Sequence, residues 1–406
     1  MKKIVLVGAG YRGFSMFAKP LIDDFRDVVE FAGVYDINRK RAEFMSNYKG
    51  ASIPVYDSFD TMMKETHPDA VIVTTIDRYH HEYIIKALEY GADAISEKPM
   101  TIDDEKCNAI LEAEKRTGKK VIVTFNLRFT PFTTRIKELL LEGAVGKILS
   151  ISYDELLDTS HGADYFRRWH RRKENSGGLL LHKSTHHFDL INWWLMEEPD
   201  EVYANGTTRF YGPTRENRGE RCRSCKHTNT CEFAFDYTED PLLEELYFKV
   251  EEEDGYLRDR CVFADEIDIE DTMSVTVKYK QGAVLTYSLI AYSPYEAWRV
   301  EISGTNGRLE ASCDYGGEKG ERLRLFKNNG EVVTYKMKKP EGTHGGGDIR
   351  LRRMLFKGDL ADKLGQCADS LDGVKSIMIG ICANKSIREG KRVKVSKLLK
   401  GDFINP

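Results

Sequence analysis

The sequence predicts an α/β protein in two parts: a parallel, doubly wound domain over residues 1–125, and a second α/β domain over residues 126–406 built on a large, mainly antiparallel sheet. Three observations carry this. Short apolar runs alternate with helical patterns through the first part, the rhythm of βα units. A glycine-rich turn, Gly8-Ala9-Gly10-Tyr11-Arg12-Gly13, follows the first run. Beyond Phe125 the texture changes to successive alternating strands.

In the first part, Ile4–Val7 is continuously apolar, as a strand buried on both faces requires. A helix near Phe14–Phe25 follows the glycines. A strand over Val29–Tyr35 ends at Asp36, and Arg39–Tyr48 reads as a helix. The strand Ala70–Thr74 leads to a helix over His81–Tyr90, closed by Gly91. The run Ala94-Ile95-Ser96 ends in Glu97-Lys98-Pro99. A helix over Asp103–Thr117 and the strand Val121–Thr124 complete the domain.

The second part predicts strands over Ile148–Tyr153, Val202–Phe210, Met273–Lys280, Ala283–Tyr292, Trp298–Gly304 and Arg322–Lys327. Helices over Phe132–Leu141, Phe188–Met196 and Asp369–Glu389 flank them. The stretch at about 211–265 is charged, turn-rich and holds half the cysteines, so it reads as an insertion.

Composition excludes several classes. Charged residues are 31% of 406 and the net charge is −4, which argues against a dedicated nucleic-acid binder. The longest apolar runs are far too short to span a bilayer. The N-terminus enters a strand at once, without the apolar stretch of a signal peptide, so a cytoplasmic location is expected. Eight cysteines in this length do not read as a disulfide scaffold.

The glycine turn points to a dinucleotide. Its first glycine permits a tight turn, the second lets backbone approach a pyrophosphate, and the third lets helix and strand pack closely. The helix that follows offers unpaired N–H groups to the anion. Asp36 stands where a ribose-binding carboxylate belongs, and it favours NAD over NADP by repelling a 2′-phosphate. Arg39, Lys40 and Arg41 either neutralise such a phosphate or form a solvated helix face. Lys98, at the carboxyl end of a strand in this domain, can point at the reacting end of the cofactor.

These residues, in this order and spacing, resemble the Gfo/Idh/MocA oxidoreductases. The marks are the glycine turn, Thr75-Ile76-Asp77-Arg78-Tyr79-His80, Glu97-Lys98-Pro99, Phe125-Asn126-Leu127-Arg128-Phe129, the segment Gly177–Asp189 with His182, His186 and His187, and the tail Ile379–Ile387. The resemblance implies a Rossmann domain and a second domain whose open sheet often serves as an oligomer interface, here of a homodimer or homotetramer. It implies NAD(P)-dependent oxidation or reduction of a sugar, inositol or related polyol. In such a site Gly8, Gly10, Tyr11, Arg12, Gly13, Asp36, Thr75, Asp77, His80, Glu97 and Lys98 bind cofactor. Lys98 donates to the substrate hydroxyl and His186 is the acid/base. Where the family often has an aspartate, this chain has His182, and Ile76-Asp77 replaces the usual proline and asparagine.

Hydride transfer from a carbinol needs a base for the hydroxyl proton and a donor for the developing alkoxide. On a regular helix His182 and His186 share a face, while Lys183 and His187 point elsewhere. Three readings are open: His186 as base with His182 as substrate ligand, a metal held by His-x-x-x-His, or packed core histidines. Candidates for substrate binding are Asn126, Arg128, Trp169, His170, Lys183 and His187, and Tyr165 and Arg168 are close by in sequence. Asn126 and Arg128 equally suit a tie between domains. Two alternatives to a dehydrogenase are a glycoside-cleaving enzyme using transient oxidation, and a ligand sensor without catalysis.

Cys222-x₂-Cys225-x₅-Cys231, with Cys261, allows a tetrahedral thiolate site in an insertion too polar for a core of its own. Structural zinc is the first expectation, with His227 as a substitute ligand. Free thiols and an iron–sulfur cluster are the others. Cys107, Cys313, Cys367 and Cys382 read as scattered thiols.

Overall fold

The structure is a computed structural model describing residues 1–315, 320–337, 342 and 344–399; the expected second domain's end, 400–406, lies outside them. Strands β1 (Lys2–Val7), β2 (Val29–Tyr35), β3 (Ala70–Val73), β4 (Asp93–Ser96) and β5 (Val121–Val123) form a parallel sheet in the order β5-β4-β3-β1-β2. The short strand Ala368–Asp369 adds antiparallel beside β5. Ile4, Val5 and Leu6 are fully buried, which explains why β1 is apolar at successive residues. The order reverses at β1, so the loops after β1 and β3 part and open a crevice at the carboxyl ends of the strands.

The glycine turn is held by close backbone approach. A Cβ on Gly8, whose φ is +96°, would stand 2.6 Å from the Thr74 carbonyl carbon. A Cβ on Gly13 would stand 2.3 Å from the Gly8 oxygen. The helix after it is not one regular piece: Gly13–Ala18 is wound wide, and Lys19–Asp23 returns to α geometry.

Among the described residues the second sheet has nine strands. They include β6 (Ile148–Asp158), β7 (Pro199–Thr207), β8 (Thr272–Tyr279), β9 (Val284–Ser293), β10 (Glu296–Gly304), β11 (Gly307–Tyr315), β12 (Glu321–Lys327) and β13 (Val332–Tyr335). Their order is β13-β12-β11-β10-β6-β9-β8-β7, and Val393–Lys394 closes the far edge. All neighbours are antiparallel except β6 and β9, which run parallel. In β8 the buried residues alternate as Met273, Val275, Val277 and Tyr279, so one face meets the core. Strand β11 and the helices Phe59–Thr66 and Thr159–Arg167 were not among the expected elements.

The long helix Ser370–Glu389 packs on the sheet and on the segment that carries the histidines. A Cβ on Gly380 would lie 2.4 Å from the Leu180 oxygen, so glycine permits that approach. Arg128 locks the arrangement. Its Nε and NH2 donate to the Asp189 carboxylate at 2.8 and 2.6 Å, and NH1 donates to Asp372 and to the Gly365 oxygen at 3.0 Å. Arg128 thus ties these elements together with four of its five N–H donors. Among the described residues no helix is long and apolar enough to cross a membrane.

The insertion has a core after all. Phe233 packs edge-on against Phe210, Tyr211 and Phe263, and Tyr211 stacks on Phe166 at 4.3 Å. Aromatic residues dispersed through a polar stretch converge on the helix Thr159–Arg167, which no local hydrophobicity pattern reveals.

Candidate active site

The loops after β1, β2 and β4 are cross-linked around the crevice. Asp36 accepts the Ala9 N–H at 2.6 Å and the Asn38 N–H at 2.7 Å, which fastens the end of β2 to the glycine turn. Arg12 donates from Nε to Glu97 at 2.7 Å, and Glu97 also accepts the Lys98 N–H at 3.1 Å. The Arg12 guanidinium reaches 3.6 Å from Asp348. Asp348 accepts from Asn126 Nδ2 at 2.6 Å and pairs with His344 Nδ1 at 2.8 Å. Burial would raise the Asp348 carboxyl, yet His344 and Arg12 hold it well below the usual range. Arg12 thus links Glu97 to Asp348, and Asp348 in turn holds Asn126. His80 is buried with its nitrogens 2.8 Å from the Pro99 oxygen and 3.0 Å from the Thr75 oxygen. It braces the loop after β3 against the turn after β4 from inside.

The insertion lies over this cradle. The Tyr11 N–H donates to the Tyr247 hydroxyl at 2.7 Å, and a Cβ on Gly10 would meet the same oxygen at 3.3 Å. Asn38 Nδ2 donates to the Val250 oxygen at 2.9 Å and Arg41 Nε to the Leu246 oxygen at 2.8 Å. Arg41 NH1 sits 3.5 Å from Asp36 and 3.0 Å from Asp254. Arg39 and Lys40 lie on the solvated face, but Arg41 is buried because the insertion covers it.

The opposite wall carries the histidines. The helix expected to run through them is broken: Leu179–His182 ends, Lys183 and Ser184 turn, and Thr185–Leu195 begins. The Ser184 N–H bonds back five residues to Leu179, which rotates the second helix relative to the first. Lys98 reaches across and donates from Nζ to the His182 oxygen at 3.0 Å. Burial brings the Lys98 ammonium down to about 8, against the pull of Asp77 and Glu97. His182 Nδ1 lies 2.6 Å from Asp77 Oδ2. Burial pushes the Asp77 carboxyl well up and the His182 imidazole well down. His186 is also pushed well down by burial and then by the charges of Lys98 and Lys183. Among the described residues its buried Nδ1 has no partner.

His170 stacks on Trp169 at 3.7 Å and meets the His182 ring edge-on at 4.2 Å. Tyr165 lies 5.6 Å from His182. These rings cluster beside His182, and among the described residues the buried His170 Nδ1 is also without a partner. Lys183 and His187 turn the other way. Both reach Glu155 on β6, at 3.1 and 3.4 Å, and His187 also meets the Tyr287 hydroxyl at 2.9 Å. Their side chains are thus directed toward the sheet. Among the described residues no three His, Cys, Asp or Glu side chains stand together to hold one metal ion, which leaves the His-x-x-x-His metal reading without a site.

Sequence reasoning missed Glu155, Tyr247, His344 and Asp348. Glu155 falls on the buried face of β6 by simple alternation with Ile151 and Tyr153, so an inward charge was visible once the strand was drawn long enough. The run His344-Gly345-Gly346-Gly347-Asp348 had a turn signature. A Cβ on Gly347 would meet the Asn126 oxygen at 2.3 Å, so its glycines let that segment approach.

Residues 2–125 match the oxidoreductase family described by its NAD-binding Rossmann fold, and residues 137–395 match that family's C-terminal alpha/beta domain. The chain belongs to the Gfo/Idh/MocA oxidoreductase family. It is 37% identical to the YteT protein of Bacillus subtilis (strain 168), across 98% of this chain and 99% of that one. It is 26% identical to an inositol 2-dehydrogenase of Rubrobacter xylanophilus over 43% of this chain and 47% of the relative. Its fold is similar to that of the WlbA dehydrogenase of Chromobacterium violaceum in complex with NADH and UDP-GlcNAcA. There the TM-score is 0.67 and the identity 19%, across 97% of this chain and 95% of that one.

Within this Gfo/Idh/MocA chain the cysteines gather away from the crevice. Cys222, Cys225, Cys231 and Cys261 line one cavity of 490 Å³, with His227 beside them. An antiparallel bridge between Arg221 and Arg260 brings the two cysteine stretches side by side, with the Cys222 N–H donating to the Asp259 oxygen and the Cys261 N–H to the Glu220 oxygen. The single-zinc expectation does not match this arrangement, because no group of ligands converges on one point among the described residues.

Proposed function

We propose that this chain is an NAD-dependent dehydrogenase acting on a hydroxyl or keto carbon of a sugar, inositol or related polyol. One observation carries the reading: Lys98, half-buried beside the cofactor cradle, donates to the His182 oxygen and bears electrostatically on His186, whose Nδ1 has no partner among the described residues.

The cradle suits a dinucleotide, since side chains at Gly8 or Gly13 would collide with backbone. The amides of the glycine turn would hold the pyrophosphate and Asp36 the ribose, with Thr75 and Asp77 toward the nicotinamide. Asp36 and Asp254 flank the single guanidinium of Arg41, a balance that favours NAD over NADP. NAD, when bound, supplies the hydride acceptor. Lys98 is a cation at neutral pH and stabilises the developing alkoxide. His186, kept neutral by burial, takes the hydroxyl proton. Asp77 accepts Nδ1–H of His182, so that Nε2 receives a second substrate hydroxyl. Trp169 offers an apolar surface to a sugar ring. The outer face of the nine-stranded sheet, with Arg299, Glu301, Glu310 and Arg324, is the surface proposed for a homodimer or homotetramer.

The test is binding followed by turnover. NADH fluorescence should rise on mixing with protein, and a panel of inositols and sugars should yield NADH with at least one member. Absence of NADH binding by both fluorescence and calorimetry rejects the reading. The Asp77–His182 pair, a second acid/base separate from His186, favours a variant reading in which oxidation is transient and a glycoside is cleaved. Release of free sugar without net NADH would select it.

A further inference from the structure

The four clustered cysteines are neither paired with each other nor gathered on one ion. All four are free thiols, and all four line the same 490 Å³ cavity. A tetrahedral zinc site needs bonds of about 2.3 Å and therefore sulfurs about 4 Å apart. No such convergence is formed among the described residues. The thiols instead surround a space, with Phe233, Val262 and Phe263 completing its apolar lining. A polynuclear centre needs that arrangement, because its ligands are spread around a body of several atoms.

Charge points the same way. Arg167 is buried, and among the described residues it makes no ion pair with a carboxylate. Its NH1 donates to Cys222 Sγ at 3.4 Å and its NH2 to the Phe233 oxygen at 3.1 Å. The guanidinium also lies 4.7 Å over the Phe235 ring and feels the Asp164 charge, but among the described residues no carboxylate stands within ion-pair distance of it, which leaves room for a nearer counter-ion. A thiolate-ligated metal centre is anionic and supplies one. The other arginines at the cavity are already matched: Arg215 with Glu232, Arg218 with Asp265, and Arg221 with Glu251 and Asp259. The His227 N–H donates to Cys225 Sγ at 3.4 Å, an amide-to-sulfur contact that stabilises a ligating thiolate. The sequence pattern, three cysteines in one loop and a distant fourth, is one that iron–sulfur proteins use.

We propose that Cys222, Cys225, Cys231 and Cys261 ligate an iron–sulfur cluster in this cavity. An assembled cluster held by carrier thiolates is taken up by ligand exchange: four iron–carrier thiolate bonds break, four iron–cysteine thiolate bonds form, the four cysteine thiol protons pass to the released carrier thiolates, and no oxidation state changes. Its role is structural. Arg167 joins the cluster loop to the end of the helix Thr159–Arg167, and Arg171 donates to the Cys261 oxygen at 2.7 Å. Trp169 and His170 lie between these two arginines, so the cluster fixes the aromatic side of the substrate pocket from behind.

The experiment is anaerobic purification of the full chain, followed by iron, zinc and acid-labile sulfide analysis. Protein low in iron would be reconstituted anaerobically with ferric and ferrous iron and sulfide in the presence of excess thiol. The expected result is iron and sulfide in equal amounts, about two to four of each per chain. Thiolate-to-iron absorption should appear in the visible, with an electron paramagnetic resonance signal in the oxidised or reduced form. Cys225→Ser should lose the iron and the colour, and Cys367→Ser, outside the cavity, should keep both. If Cys225→Ser does not fold, the wild-type stoichiometry and X-ray absorption at the iron edge decide, through iron–iron scattering. Stoichiometric zinc without sulfide, or protein that stays metal-free after reconstitution, overturns the proposal. Neither result touches the dehydrogenase reading, which is scored by NADH binding.

Discussion

The wall formed by the ends of β1, β3 and β4 is made of backbone, whereas the facing wall is made of side chains. On the first, glycines bring loops within contact distance, and Gly13 has no room for a methyl group against the Gly8 oxygen. On the second stand His182 and His186, and Asp77 and Lys98 reach across to them from the ends of β3 and β4, so that each alters the others' charge. The difference teaches where damage should appear. Changes to the backbone wall should weaken cofactor binding, and changes to the side-chain wall should slow chemistry while leaving binding nearly intact.

The sharpest way to break this contrast is His186→Asn. Loss of the base should lower kcat by about 10²–10⁴-fold with NADH affinity within about threefold of wild type, measured by steady-state kinetics and fluorescence titration. A parallel collapse in NADH affinity would erase the distinction between the walls. On the backbone side, Gly13→Ala forces a Cβ toward the Gly8 oxygen and Thr74 Oγ1. Overpacking of about 1–3 kcal/mol should lower the melting temperature and weaken NADH by about tenfold or more.

A gentler test uses pH. Lys98 ionises near 8 because burial lowers it, so the charged donor is lost as pH rises through that value. Dehydrogenase kcat/KM should therefore fall above about pH 8. The Asp77 anion resists that loss, so Asp77→Asn should move the alkaline limb to lower pH. An unmoved limb would remove Lys98 from the profile. The smallest effect is expected from Tyr247→Phe. Its hydroxyl holds the Tyr11 N–H that a pyrophosphate would use, so its removal should tighten NADH by about threefold, read by calorimetry.

The same contrast explains what could be read in advance. The parallel strands were legible because burial on both faces makes each one continuously apolar, and the glycine turn because its steric demand is local. Asp36, Lys98 and the histidine segment were visible as residue types at telling positions. Their partners were not. Asp77 with His182, Lys183 with Glu155, and Tyr11 with Tyr247 join positions far apart in the chain, and no periodicity encodes such pairings. The break at Lys183-Ser184 was hidden because those residues are compatible with a continuous helix, and tertiary contacts decide otherwise. Arg128 suited substrate or scaffold equally until Asp189 and Asp372 appeared beside it.

The central claim is that Lys98 serves chemistry from the cofactor side of the pocket. Single-turnover hydride transfer in Lys98→Ala, with NADH affinity measured on the same preparation, tests it most directly. The account predicts transfer slowed by about 10²–10³-fold with NADH affinity nearly unchanged. Transfer at the wild-type rate by a variant that binds NADH normally would contradict it.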